Sequence, residues 1–326
     1  MLTTRLTERL GIAHPVISAP MANASGGALA SAVTRAGGLG MIGGGYGKSD
    51  WLAEQFALAG NQPVGCGFIT WALEKNQIAL DETLERSPTA IFLSFGDPAP
   101  YAEKIKASGA LLICQVQTVK DAKRAIEVGS DIVVAQGSEA GGHSGKRASF
   151  ALVPEVADTI NASGSDALLV AAGGIGDGRG LAASLMLGAD GVLVGTRFWA
   201  RDEALVHENM LAEAVAASGD DTLQTSVMDV ARELDWPERY SAHTLRNKFT
   251  DQWHGNLDEL KKAGKAEADK WAAAWIAGDT DIANTMVGEA TGLISSVMPA
   301  AEILDSIVSE ASDIISNSFK QNVKQG

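Results

Sequence analysis

Three features of the sequence predict an α/β fold in which eight strands alternate with eight helices. First, eight short apolar runs lie within the first 200 residues of the 326-residue chain. Second, each run is almost continuously apolar, as in parallel strands that are covered on both faces. Third, a helix-compatible segment follows each run. A doubly wound open sheet would show the same alternation, but eight units is the number that closes a (β/α)8 TIM barrel, which we therefore favour.

The predicted strands can be placed by their apolar runs. They cover residues 15–21, 39–44, 63–70, 90–95, 111–116, 131–137, 167–174 and 191–196. The segments between them carry helix signals. In segment 119–131 apolar residues recur at helical spacing and Gly129 fits a C-cap. In segment 177–190 Asp177 fits an N-cap and Gly188 a stop.

The strand pattern ends near residue 200, and the chain is then polar, Ala-rich and helical in pattern to about residue 290. We therefore expect a barrel formed by residues 1–202 and 290–326, with a helical second domain, residues 203–289, inserted after the eighth strand. The apolar stripe in 300–319 predicts an outer helix of the barrel, and a partner interface is the alternative.

Composition limits the possible partners. The formal net charge of -14 argues against nucleic acid or an anionic membrane as a partner, because both need a basic surface. The two cysteines, Cys66 and Cys114, lie in apolar runs, so we expect reduced core residues and no metal site. No apolar run has the length of a membrane span. These features predict a cytoplasmic enzyme with a small-molecule substrate, and a homodimer is compatible with them.

Two glycine-bearing turns mark the carboxyl ends of the last two predicted strands, the end of a TIM barrel at which catalysis occurs. Gly173 and Gly174 end the seventh strand, and Gly195 and Thr196 end the eighth. Backbone N–H groups there, beside the helix predicted to begin near Asp177, would bind a phosphate. The alternative interpretation is that these glycines only form turns and caps.

The loop after the sixth strand, QGSEAGGHSG (136–145), carries the other unusual residues. Gly141 and Gly142 would let the loop run flat against a planar ligand, and the amide of Gln136 could bind the polar edge of a heterocycle. Glu139 could order the loop by accepting backbone N–H bonds. We expect His143 in a flexible, cleft-facing position, where an imidazole suits proton transfer near neutral pH.

The remaining histidines have no such setting. We expect surface or structural roles for His14, His207, His243 and His254.

EAGGHSG, with APMA upstream and AAGGIGDGRGL and GVLVGTRF downstream, resembles the nitronate monooxygenase family. These FMN-dependent enzymes, formerly called 2-nitropropane dioxygenases, are related to FMN-dependent enoyl-ACP reductases and NADH:quinone reductases. The resemblance is strong over about residues 10–200, and GEATGLISSVMPAAEI (288–303) matches more loosely.

The resemblance implies roles for individual residues. His143 would be the catalytic residue. Flavin contacts would fall on Gln136 and Gly141, phosphate contacts on Gly173, Gly174, Gly195 and Thr196, and the isoalloxazine ring would lie against the backbone of Ala19, Pro20 and Met21. The chain departs from the family pattern at two positions, with Gly67 where many members have Asn and Leu193 where many have Gln.

The implied reaction is FMN-dependent oxidation of a nitronate or nitroalkane by O2 to a carbonyl compound and nitrite. His143 would be the base for a neutral nitroalkane or a hydrogen-bond donor to the nitro oxygens. Two alternatives remain: an NAD(P)H-dependent FMN reductase of quinones or enoyl thioesters, and a phosphate-binding barrel without redox catalysis. GGGYG (43–47) is either a mobile lip that brings Tyr46 over the substrate or an ordinary loop.

Overall fold

The computed structural model describes residues 2–200 and 203–322, and it confirms the TIM barrel. The strands are β1 (Val16–Ser18), β2 (Met41–Gly45), β3 (Gly65–Ile69), β4 (Ala90–Ser94), β5 (Leu111–Val116), β6 (Ile132–Gln136), β7 (Gly142–Ser144), β8 (Leu168–Ala172), β9 (Gly191–Val194), β10 (Thr222–Thr225) and β11 (Ser241–Leu245). Eight of them are parallel and form the barrel in the order β1-β9-β8-β6-β5-β4-β3-β2, and a bridge between Ile17 and Leu39 joins β1 to the chain entering β2.

The helices surround the barrel or lie at one of its two ends, and the first of them is at the amino end, where Leu6 joins the barrel interior. In chain order they are α1 (Arg5–Leu10), α2 (Gly27–Arg35), α3 (Ser49–Ala59), α4 (Thr70–Leu73), α5 (Ile78–Leu84), α6 (Ala99–Ala107), α7 (Val119–Glu127), α8 (Ser149–Ser163), α9 (Gly178–Met186), α10 (Thr196–Trp199), α11 (Glu208–Ala216), α12 (Val227–Ala231), α13 (Lys248–Trp253), α14 (Leu257–Ala263), α15 (Lys265–Ala277) and α16 (Ala300–Asn322). None of these helices, over the described residues, is long and apolar enough to cross a membrane.

Both faces of the barrel strands are buried, which explains why their sequences are continuously apolar. One set of strand residues, including Ile17, Phe92 and Val134, fills the interior. The alternate residues, including Cys66 and Cys114, pack against the helices. Both cysteines are free and buried as expected, and burial raises the pKa of each thiol to about 12. Neither thiol is therefore a nucleophile near neutral pH.

The last helix is an outer helix of the barrel, as predicted. Helix α16 packs on α9 and α2. Its apolar stripe, with Ile303, Leu304 and Ile307 almost fully buried, joins the core between the barrel and its helices. The stripe is thus covered within the chain.

The segment between residues 203 and 289 contains helices α11 to α15, and it also contains strands β10 and β11, which the sequence did not predict. Strands β10 and β11 pair in antiparallel fashion, and β11 also pairs with β7, which belongs to the loop after β6. TLQT and SAHTL are short and half polar, so their sequences carry little strand signal, and the pairing depends on a partner far away in the chain. A separate domain at 203–289 stays a prediction.

Candidate active site

A cavity of about 400 Å³ lies at the carboxyl ends of the barrel strands. It is covered by residues of the segment 203–289, which we call the inserted segment. The structure brings seven of the predicted site residues to its wall, namely Ala19, Pro20, Met21, Gln136, Gly141, Gly142 and His143. Tyr46, Phe95 and Gln115 line it from other strand ends, while Arg232, Trp236 and Trp271 line it from the inserted segment.

His143 lies in a strand rather than in a flexible loop, which corrects one expectation. The chain leaves β6, turns, and pairs as β7 with β11, so that His143 stands opposite Ala242 and Gly142 opposite His243. This pairing fixes the backbone of His143. The side chain lines the cavity, as expected from the sequence.

The imidazole of His143 is held by a carboxylate and an indole. Its Nε2 lies 2.9 Å from both Oδ1 and Oδ2 of Asp229, which is on α12, and the two side chains are only 6% and 4% exposed. The ring of Trp236 stacks on the imidazole, with ring centroids 3.3 Å apart and planes 5° from parallel. Nδ1 has no hydrogen-bond partner in the described part of the chain, so it is the ring nitrogen left for a ligand.

Aromatic side chains fix the surroundings of this histidine. Phe95 meets Trp236, Tyr240 and His143 edge to face. It holds a positive φ of 63°, a conformation that costs a non-glycine residue about 1–3 kcal/mol and is often found at functional sites. The indole N–H of Trp236 donates to the Tyr46 hydroxyl at 3.2 Å, and burial raises the pKa of Tyr46. Tyr46 is therefore bound within an aromatic cluster.

The amide of Gln136 links three neighbours. Its Oε1 accepts from Nε2 of Gln115 at 3.0 Å and from Nε2 of Gln117 at 2.8 Å, while its own Nε2 donates to the carbonyl oxygen of His143 at 3.1 Å. A primary amide has two N–H groups, so one remains for a ligand. Glu139 accepts from the backbone and hydroxyl of Ser149 at the start of α8, which is the ordering role expected of it.

The glycine turns expected to hold a phosphate lie beside the cavity rather than in its wall. Gly173 and Gly174 have φ of 100° and 71°, which an L side chain rarely adopts. A Cβ on Gly174 would lie 3.4 Å from Glu139, and one on Gly195 would lie 3.5 Å from Ala19. The hydroxyl of Thr196 accepts from the backbone N–H of Gly288 at 3.1 Å.

The first turn of α9 is already paired with protein groups. The N–H of Gly178 donates to Glu310 of α16 at 2.7 Å, and the N–H groups of Arg179 and Gly180 donate to Asp177, the N-cap. A phosphate near these turns would therefore depend on the glycine backbone and on Thr196 rather than on this helix.

The two departures from the family pattern have structural reasons. A Cβ on Gly67 would overlap the ring of Pro20, so glycine lets the chain after β1 lie close against β3. Leu193 is buried in the barrel interior with Ile17 and Val170, where an amide would need polar partners. Gly67 also lines the cavity beside Pro20.

The chain matches a known protein family over almost its whole length. The family model described as nitronate monooxygenase matches residues 3–65 and 68–310. The chain belongs to the nitronate monooxygenase family. It is 35% identical to a nitronate monooxygenase of Metarhizium robertsii, over 93% of this chain and 92% of the relative.

Two further relatives carry other names. The chain is 32% identical, over 81% of its length and 72% of the relative, to (3aS,4S,5R,7aS)-5-hydroxy-7a-methyl-1-oxo-octahydro-1H-indene-4-carboxyl-CoA dehydrogenase of Rhodococcus jostii. The solved structure of FabK from Thermotoga maritima superposes with a TM-score of 0.84 and 32% identity, covering 98% of this chain and 99% of that chain. Nitronate monooxygenases are oxidoreductases, and the family consists of flavoenzymes. The chain is therefore an oxidoreductase of a flavoenzyme family.

The inserted segment contributes three residues to the site that the sequence did not predict. Asp229, Arg232 and Trp236 lie within eight residues of one another, in the stretch MDVARELDW (228–236). Asp229 is 86 positions from His143. The stretch carries only a helix pattern, and no local spacing connects it with the histidine. The pairing of β11 with β7 brings the two segments together.

Proposed function

We propose that this family member binds FMN and uses it to oxidise nitronates and nitroalkanes with O2 to a carbonyl compound and nitrite. The supporting observation is the buried pair formed by His143 and Asp229, in which His143 lines a cavity at the barrel mouth and its Nδ1 makes no hydrogen bond with the described residues. Family membership and the relative in Metarhizium robertsii support the same reaction.

The residues around the cavity fit a flat flavin. The backbone of Ala19, Pro20 and Met21 would lie along the ring, and the remaining N–H of Gln136 would bind its polar edge. The phosphate would be held by the hydroxyl of Thr196 and by the backbone of the glycine turns, which are Gly173, Gly174 and Gly195. The loop with Gly141 and Gly142 would lie beside the cofactor. When bound, FMN would supply the redox chemistry, since a flavin can accept electrons from the substrate and pass them to O2.

Asp229 decides which nitrogen of His143 can act as a base. A carboxylate accepts but does not donate, so the neutral imidazole carries its proton on Nε2 and presents the lone pair of Nδ1. Nδ1 can then remove the proton from the carbon that bears the nitro group. The imidazolium so formed is stabilised by Asp229, and its Nδ1–H can donate to a nitro oxygen. A substrate that arrives as a nitronate needs only this second role.

A second candidate uses the same site. An NAD(P)H-dependent FMN reductase of enoyl thioesters or quinones would keep the cavity and use a protonated His143 as a proton donor. The observation in its favour is the Rhodococcus jostii relative, whose name specifies a carboxyl-CoA dehydrogenase.

One set of measurements on the purified protein separates these proposals. We expect a flavin absorption spectrum, release of FMN on denaturation, and nitrite formation from propionate 3-nitronate in air. Rapid anaerobic bleaching by NADH or NADPH, without nitrite formation from nitronates, would support the reductase instead. A colourless protein that takes up no FMN would contradict both.

A further inference from the structure

Trp236 covers one face of the His143 imidazole. The two rings stack with centroids 3.3 Å apart and planes 5° from parallel, and no other aromatic ring of the described chain lies as close to the imidazole, Phe95 following at 6.2 Å. Trp236 lies between α12 and β11, and both side chains line the cavity. The proton transfer that we propose uses His143 and Asp229 but leaves the indole without a role.

The hydrogen bond to Asp229 holds one end of the imidazole but does not by itself fix the plane of the ring. In histidine the torsion about the Cβ–Cγ bond is broad, so many ring orientations are accessible. Nε2, at the far end of the ring, lies closer to this axis of rotation than Nδ1 does. Both carboxylate oxygens of Asp229 lie 2.9 Å from Nε2, so a turn of the ring keeps one of them as an acceptor. Such a turn would change the direction of the Nδ1 lone pair.

Trp236 supplies the constraint that is missing. Carbon atoms attract one another best at about 3.5–4.0 Å, so an indole at 3.3 Å leaves no space into which the edge of the imidazole could turn on that side. The indole is itself held in place. Its N–H donates to the Tyr46 hydroxyl at 3.2 Å, and the rings of Phe95 and Trp71 meet it edge to face with centroids 5.0 and 5.4 Å away. The imidazole therefore lies against a fixed flat surface.

We propose that Trp236 is a positioning residue, which fixes the plane of the His143 ring and thereby the direction in which the lone pair of Nδ1 points. This inference rests on the proposed function and adds a residue to it. Asp229 determines which ring nitrogen is free to take a proton, and Trp236 determines where that nitrogen points. Proton removal from carbon needs base and substrate in a narrow range of geometries, so loss of the stack should slow this step more than it weakens substrate binding.

Two substrates of one size separate proton removal from the steps that follow it. Nitroethane must lose a proton at carbon, whereas ethylnitronate has already lost it. Trp236→Leu keeps an apolar side chain but removes the flat face. We expect kcat with nitroethane to fall about 10- to 100-fold with little change in KM, and kcat with ethylnitronate to fall less than about threefold. Trp236→Phe restores a flat ring without the N–H group and should recover most of the loss.

Trp253→Leu is the matched control. Trp253 also belongs to the inserted segment, where it packs on Phe249 in a separate apolar cluster, and it is not part of the cavity wall. Its replacement removes the same ring and should leave the ratio of the two kcat values unchanged. An equal change of that ratio in both variants would assign the effect to general loosening of the inserted segment and would overturn the role of the stack.

Resonances of the histidine ring test the stack without turnover. The chain has five histidines, so protein that contains isotope-labelled histidine gives few ring signals, and His143→Ala identifies those of His143. Protons above an aromatic ring are shielded, so the His143 ring protons should resonate upfield of those of free histidine in the wild type. They should move downfield in Trp236→Leu and stay in place in Trp253→Leu.

Losses of equal size with the two substrates in Trp236→Leu, or no loss with either, would overturn the positioning role. His143 ring signals that Trp236→Leu leaves unchanged would overturn it as well. If the wild type formed no nitrite from either substrate, the proposed function would fail, and the ring signals would still decide whether the indole fixes the imidazole.

Discussion

Both carboxylate oxygens of Asp229 lie 2.9 Å from Nε2 of His143, although 86 positions separate the two residues in the chain. The barrel supplies the histidine through the loop after β6, and the inserted segment supplies the carboxylate through α12. The proton transfer that we propose would therefore need both parts of the chain to be in place.

Replacing Asp229 by Asn tests the assignment of the imidazole tautomer. The Asn amide can donate to Nε2, which moves the ring proton to Nδ1 and removes the base. We expect kcat/KM with neutral nitroethane to fall about 100-fold or more, and that with preformed ethylnitronate to fall much less. Stopped-flow reduction of the flavin by each substrate measures this. Equal losses would mean that Asp229 only positions the ring.

Removal of the imidazole tests the catalytic role of His143. His143→Ala should keep the flavin spectrum and the fold and should lower turnover about 100-fold or more, as for removal of a general base. His14→Ala is a suitable control, because His14 is not part of the cavity wall. Wild-type nitrite formation by His143→Ala would exclude this histidine from the mechanism.

Gly288 should be needed for close packing against the loop that carries Glu139 and Ala140. A Cβ there would overlap the carbonyl oxygen of Glu139 and lie 2.7 Å from the carbonyl carbon of Ala140. We expect Gly288→Ala to lower the free energy of unfolding by about 1–3 kcal/mol and to weaken FMN binding. Equilibrium unfolding and flavin titration measure the two effects.

Gly164→Ala is the matched control for this substitution. Gly164 ends α8 with φ of 70° and open space around it, so Ala should cost about 1–2 kcal/mol of backbone strain. FMN affinity should not change. If both variants lost FMN affinity equally, general destabilisation would explain the loss.

Glu213 should make stability depend on pH. Its pKa is raised, chiefly by burial and against the hydrogen bond from Thr285. A carboxyl whose pKa is higher in the folded state stabilises the fold fully below its unfolded pKa, and this contribution is lost as pH rises through the folded pKa. Glu213→Gln should therefore raise Tm at pH 8 and raise it less at pH 5.

Thermal unfolding at the two pH values provides the measurement. Glu103→Gln, an exposed change in α6, should show no such pH dependence. A Glu213→Gln difference of the same size at both pH values would contradict the assigned cause.

The sequence predicted the parts of this molecule whose structure follows from local pattern. Buried parallel strands must be continuously apolar, so all eight barrel strands could be found, and the glycines near His143 marked the carboxyl end of β6. Asp229 could not be found in this way, since its contact with His143 accompanies antiparallel pairing between β7 and β11. That pairing brings together distant segments with weak strand signals.

The pairing of β7 with β11 also limits which deletions and which chimeras with relatives would preserve the site. Successive side chains of a strand point to opposite faces, so a slip of one residue between these strands would turn His143 away from Asp229. We therefore expect a single-residue deletion in the turn at 137–141 that shifts this pairing to lower activity more than it lowers the stability of the barrel. Chimeras that exchange the segment around β11 between relatives would need to preserve the alignment of these two strands.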